Sequence, residues 1–362
     1  MPGDLPKPRQ EPPGGPPQAA LPERTFRPRT ASPGIFSKGR GTFIHPDERR
    51  GRGAVSNALG RHERARRVGS DESFVYDDGW GGADEVPPPL RTIVTEDASR
   101  TVIARNASPD LHFDRSINPY RGCEHGCIYC FARPSHAQLG FSPGLDFESR
   151  IVVKPHAAER LTEELSRRSY DCRPIALGTN TDPYQPLESW LKITRTILET
   201  LAACGHPFTI VTKSALVVRD LDLLVPMAAR NLVHVHVSVT TLDRKLARRM
   251  EPRAATPARR LKAIRALARA GVPTGVFTAP AIPGLTDMEM ESILEAAATA
   301  GARSAGYMLL KLPLEVKDLF EEWLVENVPD RRQRVLNLLR EAHGGRLYDS
   351  AFGRRMTGSG PF

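Results

Sequence analysis

The chain has 362 residues, 40% apolar and 26% charged, with 32 prolines, 29 glycines and 5 cysteines. That length suits one large α/β barrel or two ordinary domains, and the apolar content is enough for a substantial core. No run of about 18 apolar residues occurs, which excludes a spanning helix. The polar, Pro-rich start lacks the apolar stretch of a secretory leader. Five cysteines without such a leader argue against a disulfide framework and for a reducing, cytoplasmic setting.

The net charge of +9 is unevenly spread: residues 1–70 hold 14 Lys/Arg against 6 Asp/Glu, and the remainder is nearly balanced at 37 against 36. A basic arm of this kind either contacts phosphates or is simply solvated. Residues 1–33 hold ten prolines and few large apolar side chains, too little burial to offset the entropy of ordering. Residues 34–90 stay rich in Gly and Arg. The expectation is therefore a disordered basic arm over 1–85, a main domain over 90–326, and a C-terminal helix and tail over 327–362.

From about residue 111, short β-branched runs alternate with runs of helical period, the pattern of βα units and a parallel sheet. Strands are expected near Phe113–Tyr120, Ile175–Gly178, Phe208–Thr212, Val233–Val239, Thr274–Thr278 and Ser304–Leu310. Thr256 before Pro257 reads as a helix N-cap, Thr286 with Glu289 as a capping box, and Ser189 as the opening of a helix over Trp190–Ala203. Six such units specify an α/β fold, an open six-stranded (β/α)6 partial TIM barrel. In Val233-His234-Val235-His236-Val237-Ser238-Val239-Thr240, valines occupy one face and polar residues the other. A buried parallel strand is normally apolar on both faces, so the polar face points either into a ligand-holding lumen or to solvent from an edge strand.

Cys123-Glu-His-Gly-Cys127-Ile-Tyr-Cys130 packs three cysteines into eight residues. Three thiolates on one loop hold three corners of an iron–sulfur cluster and leave one iron open. A structural zinc needs a fourth ligand, which His125, Cys172 or a distant His would have to supply.

This spacing, with Tyr129 before the last cysteine, resembles the signature of the radical S-adenosylmethionine (SAM) superfamily. The longer run Ser116-Ile-Asn-Pro-Tyr-Arg-Gly-Cys-Glu-His-Gly-Cys-Ile-Tyr-Cys-Phe-Ala-Arg133 resembles its DNA-repair-photolyase branch, the relatives of spore photoproduct lyase. So do Gly178-Thr-Asn-Thr-Asp-Pro-Tyr-Gln-Pro186, Val211-Thr-Lys-Ser214, Ser238-Val-Thr-Thr241, Glu251-Pro-Arg253 and Ala279-Pro-Ala-Ile-Pro-Gly284. The likeness spans roughly residues 90–362. It implies a lyase- or photolyase-like radical enzyme with a [4Fe–4S] cluster and SAM as cofactors, and an electron donor such as flavodoxin or ferredoxin. Nucleic acid is the first substrate to consider, in a DNA-repair setting. By matching, Cys123, Cys127 and Cys130 would ligate the cluster and Tyr129 would lie beside the adenine. The turn Asn180-Thr181-Asp182 would sit at the SAM amino group, although Asp182 before Pro183 also reads as an Asx turn. Arg253 would face the SAM carboxylate or form a surface ion pair. Lys213 and Ser238 are candidates for ribose or carboxylate contacts.

All five polar turns follow expected strands at their carboxyl ends, where α/β barrels build their sites. One departure stands out. Spore photoproduct lyase is known for a hydrogen-donor cysteine just after its second strand, and here that segment is Ile175-Ala-Leu-Gly-Thr-Asn-Thr-Asp182. Cys172 and Cys204 read as ordinary buried thiols. Tyr184 and Tyr307 are the remaining donor candidates, and the sequence selects neither. The competing reading is a non-catalytic nucleic-acid-binding protein with a structural zinc and an Arg/Gly arm on phosphates.

Overall fold

Six parallel strands lie side by side in chain order: β1 Arg115–Ile117, β2 Ile175–Leu177, β3 Phe208–Thr212, β4 Val233–Ser238, β5 Thr274–Ala281 and β6 Ser304–Leu309. The computed structural model describes residues 42–44, 46–62 and 90–358, all within the unit Arg40–Phe362. Strand Ile103–Arg105 adds antiparallel outside β1. The first expected strand is interrupted. Beyond Pro119, Tyr120–Arg121 pairs instead with Arg150–Val153 in a second sheet, whose outer strand is Ile93–Glu96. Proline has no N–H to give a ladder, so the strand breaks there.

Val233, Val235, Val237 and Val239 are buried in one cluster with Ile197 and Leu201 of helix Ile193–Ala203, Ile264 and Leu267 of Pro257–Arg269, and Ile293 of Met290–Ala300. Side chains alternate across a strand, so these helices share one face of the sheet and His234, His236 and Ser238 lie on the other. β4 is hydrogen-bonded to both β3 and β5, which rules out the edge-strand alternative. On the polar face the rings of His234 and His236 stand 4.3 Å apart, and those of His236 and Phe277 4.6 Å.

That stack carries a pH prediction. Burial, with His234 alongside, lowers the His236 imidazole to about 4. In the unfolded chain histidine takes up its proton near pH ~6.5, before the folded protein does. Stability is therefore expected to fall as pH drops from about 6.5 to 4 and not to fall further from this group below that. His236→Gln should flatten the decline of the melting temperature between pH 7 and 4.5; an unchanged decline would refute the assignment.

Three expected helix ends are corrected. Thr256 does precede helix Pro257–Arg269 but makes no side-chain cap. The capping box is absent: Thr286 Oγ1 accepts from Ile282 N, while Glu289 accepts from Thr241 Oγ1 and Leu242 N, tying the end of β4 to the helix after β5. Ser189 opens no continuous helix. Glu188–Leu191 and Ile193–Ala203 are separated at Lys192, which has φ +56°.

Part of the arm expected to be disordered is packed structure. Thr42–Phe43 pairs with Ser56–Asn57, and Ala54 and Val55 are buried in a second apolar cluster with Ile128, Met250, Phe320, Trp323 and Leu339. Composition misled because charged and glycine residues dominate this segment, yet its few apolar ones are buried in the core. The rest of that arm, residues 1–41, 45 and 63–85, lies outside the described residues. The same cluster holds helices Val316–Asn327 and Pro329–Ala342, so the C-terminal extension is part of the core under the cysteine loop. The tail runs from β6 to the segment before β1. Leu309 N donates to Met356 O at 3.1 Å, while Gly353 N and Arg355 Nε both donate to Asp110. Cys172 and Cys204 are exposed, against the expectation of buried thiols; Cys204 ends helix Ile193–Ala203 and Cys172 lies in the loop before β2.

Candidate functional site at the carboxyl ends of the strands

The cysteine loop follows β1 and is held largely through its own backbone groups. Cys123 N donates to Phe147 O, Ile128 N to Met250 O, and Arg253 N donates to His125 O. The Arg133 guanidinium, fully buried, donates to Cys127 O at 3.0 Å, to Pro143 O and Gly144 O, and to Glu148 Oε1 at 2.5 Å. Glu148 in turn accepts from Gly53 N and Ala54 N, both at 2.8 Å. One buried ion pair thus bolts the N-terminal segment to the cysteine loop. The fit is close enough that glycine is required: a Cβ on Gly53 would lie 1.9 Å from Gly126 O, and Gly126 itself has φ +68°, where only glycine is unstrained.

The cysteines are all free, Cys123 and Cys127 buried and Cys130 half-buried. Burial raises all three thiols above their usual range, and for Cys123 the neighbouring Asp182, Cys127 and Cys130 add to it.

The turn after β2 meets this loop through Asp182. Its Oδ1 accepts from Thr212 Oγ1 at 2.7 Å and from Tyr184 N at 2.9 Å; Oδ2 accepts from Lys213 N at 2.7 Å and stands 3.3 Å from His125 Nδ1. Burial opposes ionisation, but His125 and these donors outweigh it and hold Asp182 at about 2. The Tyr184 bond is the Asx turn, so the structural reading of Asp182 holds and its oxygens are already engaged. Thr181 Oγ1 donates to Tyr120 O, and the Asn180 N–H donates to Asn118 Oδ1.

Tyr129 points its hydroxyl inward, donating to Glu251 and lying 3.2 Å from Thr240 Oγ1; Glu251 also receives Thr240 Oγ1 at 2.8 Å and pairs with buried Arg260. Burial would raise Glu251, but the charges of Arg260 and Lys213 and the hydrogen bonds hold it at about 2. Lys213 lies over the Tyr129 ring, 5.7 Å from its centroid, with Nζ 3.3 Å from Ala279 O at the cis Ala279–Pro280 bond. Ser238 is buried at the end of β4, its carbonyl accepting from Arg260. Arg253 forms an ion pair with Glu124 of the cysteine loop at 2.8 Å. The structure therefore joins the cysteine loop and the ends of β2 to β5 into one hydrogen-bonded ring.

Residues 117–297, half of the chain, match the Radical SAM superfamily. The chain belongs to the radical SAM superfamily. An uncharacterised protein of Mycobacterium tuberculosis is 40% identical over 232 residues, covering 64% of this chain and 68% of the relative. Another, from Methanocaldococcus jannaschii, is 27% identical over 221 residues, 61% and 79% of the two chains. Among solved structures, a spore photoproduct lyase mutant superposes with TM-score 0.46 at 16% identity, over 65% of this chain and 67% of that one. A second, carrying AdoMet and a dinucleoside spore photoproduct, gives 0.45 at 15%, over 64% and 66%.

A radical SAM protein uses a [4Fe–4S] cluster and SAM, and these are the cofactors of this chain. Its donor set fits. Three unpaired thiols share one loop, and each would ligate a different iron of the cluster. Among the described residues no three His, Cys, Asp or Glu side chains are grouped to hold a single metal ion.

The structure also answers the hydrogen-donor question for the tyrosines. Tyr184 is buried with its hydroxyl on Asp220, and Tyr307, paired in register with Thr278, lies on the helix face of β6. Neither faces the polar side of the sheet. Sequence reasoning passed over Lys311, just beyond β6. Its Nζ stands 4.1 Å from the centroid of Phe131, next to Cys130, and 3.5 Å from the Met356 sulfur. Burial and nearby Arg355 lower Lys311 to about 8. The strand-end rule that found the other five segments, applied to the sixth, points to it.

Proposed function

We propose that this radical SAM enzyme is of the repair-photolyase-like kind, with Cys123, Cys127 and Cys130 holding the cluster and nucleic acid as its substrate. The observation that carries this reading is the ring of strand-end residues around the cysteine loop. It supports a SAM site bounded by Tyr129, Asn180, Thr181, Lys213, Ser238 and Arg253. In it, Lys213 and the outer guanidinium nitrogens of Arg253 face the carboxylate and ribose, while Asp182 orders the loop rather than binding the ammonium. When bound, the cluster and SAM supply hydrogen-abstracting radical chemistry, and the protein contributes orientation and exclusion of water. Helices confined to one face, with the tail crossing from β6 toward β1, support closure of the sheet into the six-unit partial barrel, within a domain over 90–326 and an extension over 327–362. The hydrogen relay of spore photoproduct lyase has no counterpart cysteine here, so the product-forming step differs. Among the described residues no helix is long and apolar enough to cross a membrane, and a reducing cytoplasm with a flavodoxin- or ferredoxin-type donor suits free thiols and a reducible cluster.

The test is anaerobic reconstitution, reduction with dithionite, and measurement of 5′-deoxyadenosine with and without damaged or undamaged oligonucleotides. Formation of 5′-deoxyadenosine that rises with one class of nucleic acid is expected. A protein that binds iron and sulfide yet never cleaves SAM would overturn the reading.

A further inference from the structure

A groove of about 430 Å³ lies between the segment around Arg49–Gly53, helix Arg244–Met250 and the end of helix Val316–Asn327. Six of its lining side chains are cationic: Arg49, Arg50, Arg52, Lys245, Arg248 and Arg249. Two of them form the floor and are committed to the fold. Buried Arg49 pairs with Glu326, and buried Arg52 donates to Glu148 O, Leu90 O and Thr92 Oγ1. The walls differ. Arg50, Lys245 and Arg248 are exposed, and their side chains make no ion pair or hydrogen bond among the described residues. Arg249 donates from one nitrogen to Asn327 O.

Lys245, Arg248 and Arg249 stand at i, i+3 and i+4, one helix face, and look across the groove at Arg50. Like charges so placed repel one another, and the side chains of Arg50, Lys245 and Arg248 hold no ion pair among the described residues that would offset this. A chain of phosphates would do so, with release of its counterions. Gly53 and Pro252, at one end of the groove, touch Gly126 of the cysteine loop, so a strand lying in it runs beside the proposed active site.

We propose that this groove binds the phosphodiester backbone of a nucleic acid, with Arg50, Lys245 and Arg248 meeting the phosphates. The inference rests on the nucleic-acid part of the proposed function and gives it a surface; it is read by binding, not by catalysis. The experiment titrates the cluster-loaded protein into a fluorescein-labelled 20-nucleotide strand and its duplex, over a range of salt. Wild type should bind at least one of them with an affinity that falls steeply with salt. The triple variant Arg50→Glu, Lys245→Glu, Arg248→Glu should bind at least ~30-fold more weakly, its salt slope shallower by about 0.7–0.9 for every phosphate it no longer neutralises. Dithionite-driven SAM cleavage without nucleic acid should be unchanged in it. If the triple variant does not fold, Lys245→Gln and Arg248→Gln, each on an exposed helix face, should each make the slope shallower by about 1. Unchanged affinity and slope in folded variants overturns the proposal, as does failure of wild type to bind either oligonucleotide. If the variants lose only reduction by an acidic flavoprotein, the groove serves the electron donor and the proposal falls. Groove-dependent binding in a protein that never cleaves SAM would retain this inference while the enzymatic reading fails.

Discussion

Cys127→Ala is expected to give a colourless protein that no longer forms 5′-deoxyadenosine, yet unfolds within about 1–2 kcal/mol of the cluster-free wild type. The absorbance removed is the broad thiolate–iron band near ~400 nm. The reason for the mild stability cost lies in how the loop is held. Its conformation depends on main-chain groups, with Cys127 O taken by Arg133 and Ile128 N by Met250 O, and an alanine leaves both in place. Only the sulfur is removed, from a side chain at the edge of the second apolar cluster. Iron and sulfide analysis, the assay for 5′-deoxyadenosine and a urea titration read the three consequences separately. A brown, active Cys127→Ala protein would remove this cysteine from the ligand set.

Arg133→Met is expected to act in the opposite sense, through the fold. Among the described residues it leaves the buried Glu148 carboxylate with only the Gly53 and Ala54 N–H groups, and strips the donor from four carbonyls. Removing one partner of a buried pair costs about 3–5 kcal/mol, and the cysteine loop and the N-terminal segment should loosen together. The double variant Arg133→Met with Glu148→Gln should recover part of that stability, since no unpaired charge remains. Arg133→Lys should not restore it, because an ammonium cannot span the same set of acceptors. Unfolding free energies and cluster occupancy for the wild type, the two single variants and the double variant make a complete cycle. Strict additivity would show that the pair is not a unit.

The cysteine loop, the six parallel strands and the polar strand ends were legible in the sequence because each depends on residues a few positions apart: the spacing of three thiols, the alternation of valine and histidine in β4, the Gly/Pro turns after each strand. The match to residues 117–297 agrees with that reading. Where local signals competed, they misled. Thr286 and Glu289 have capping-box spacing, but Glu289 is bonded instead to Thr241 and Leu242 at the end of β4. Charged, Gly-rich residues 46–62 resemble an unfolded arm, but Glu148, 95 residues from Gly53 in the chain, supplies the acceptors that hold them.

The sequence alone determined the chemistry available to this protein: three clustered thiols and the strand order that carries polar turns to one rim. Tertiary structure decided what those turns are for. Asp182 turned out to be a hub for His125, Thr212 and Lys213, Tyr129 to bury its hydroxyl against Glu251, and Arg253 to brace Glu124. It also drew scattered arginines from residues 49–52 and 248–249 into one groove. The physical reason is that periodicity and spacing act between near neighbours, whereas a buried charge is satisfied by whichever donor the packed chain brings within hydrogen-bond reach.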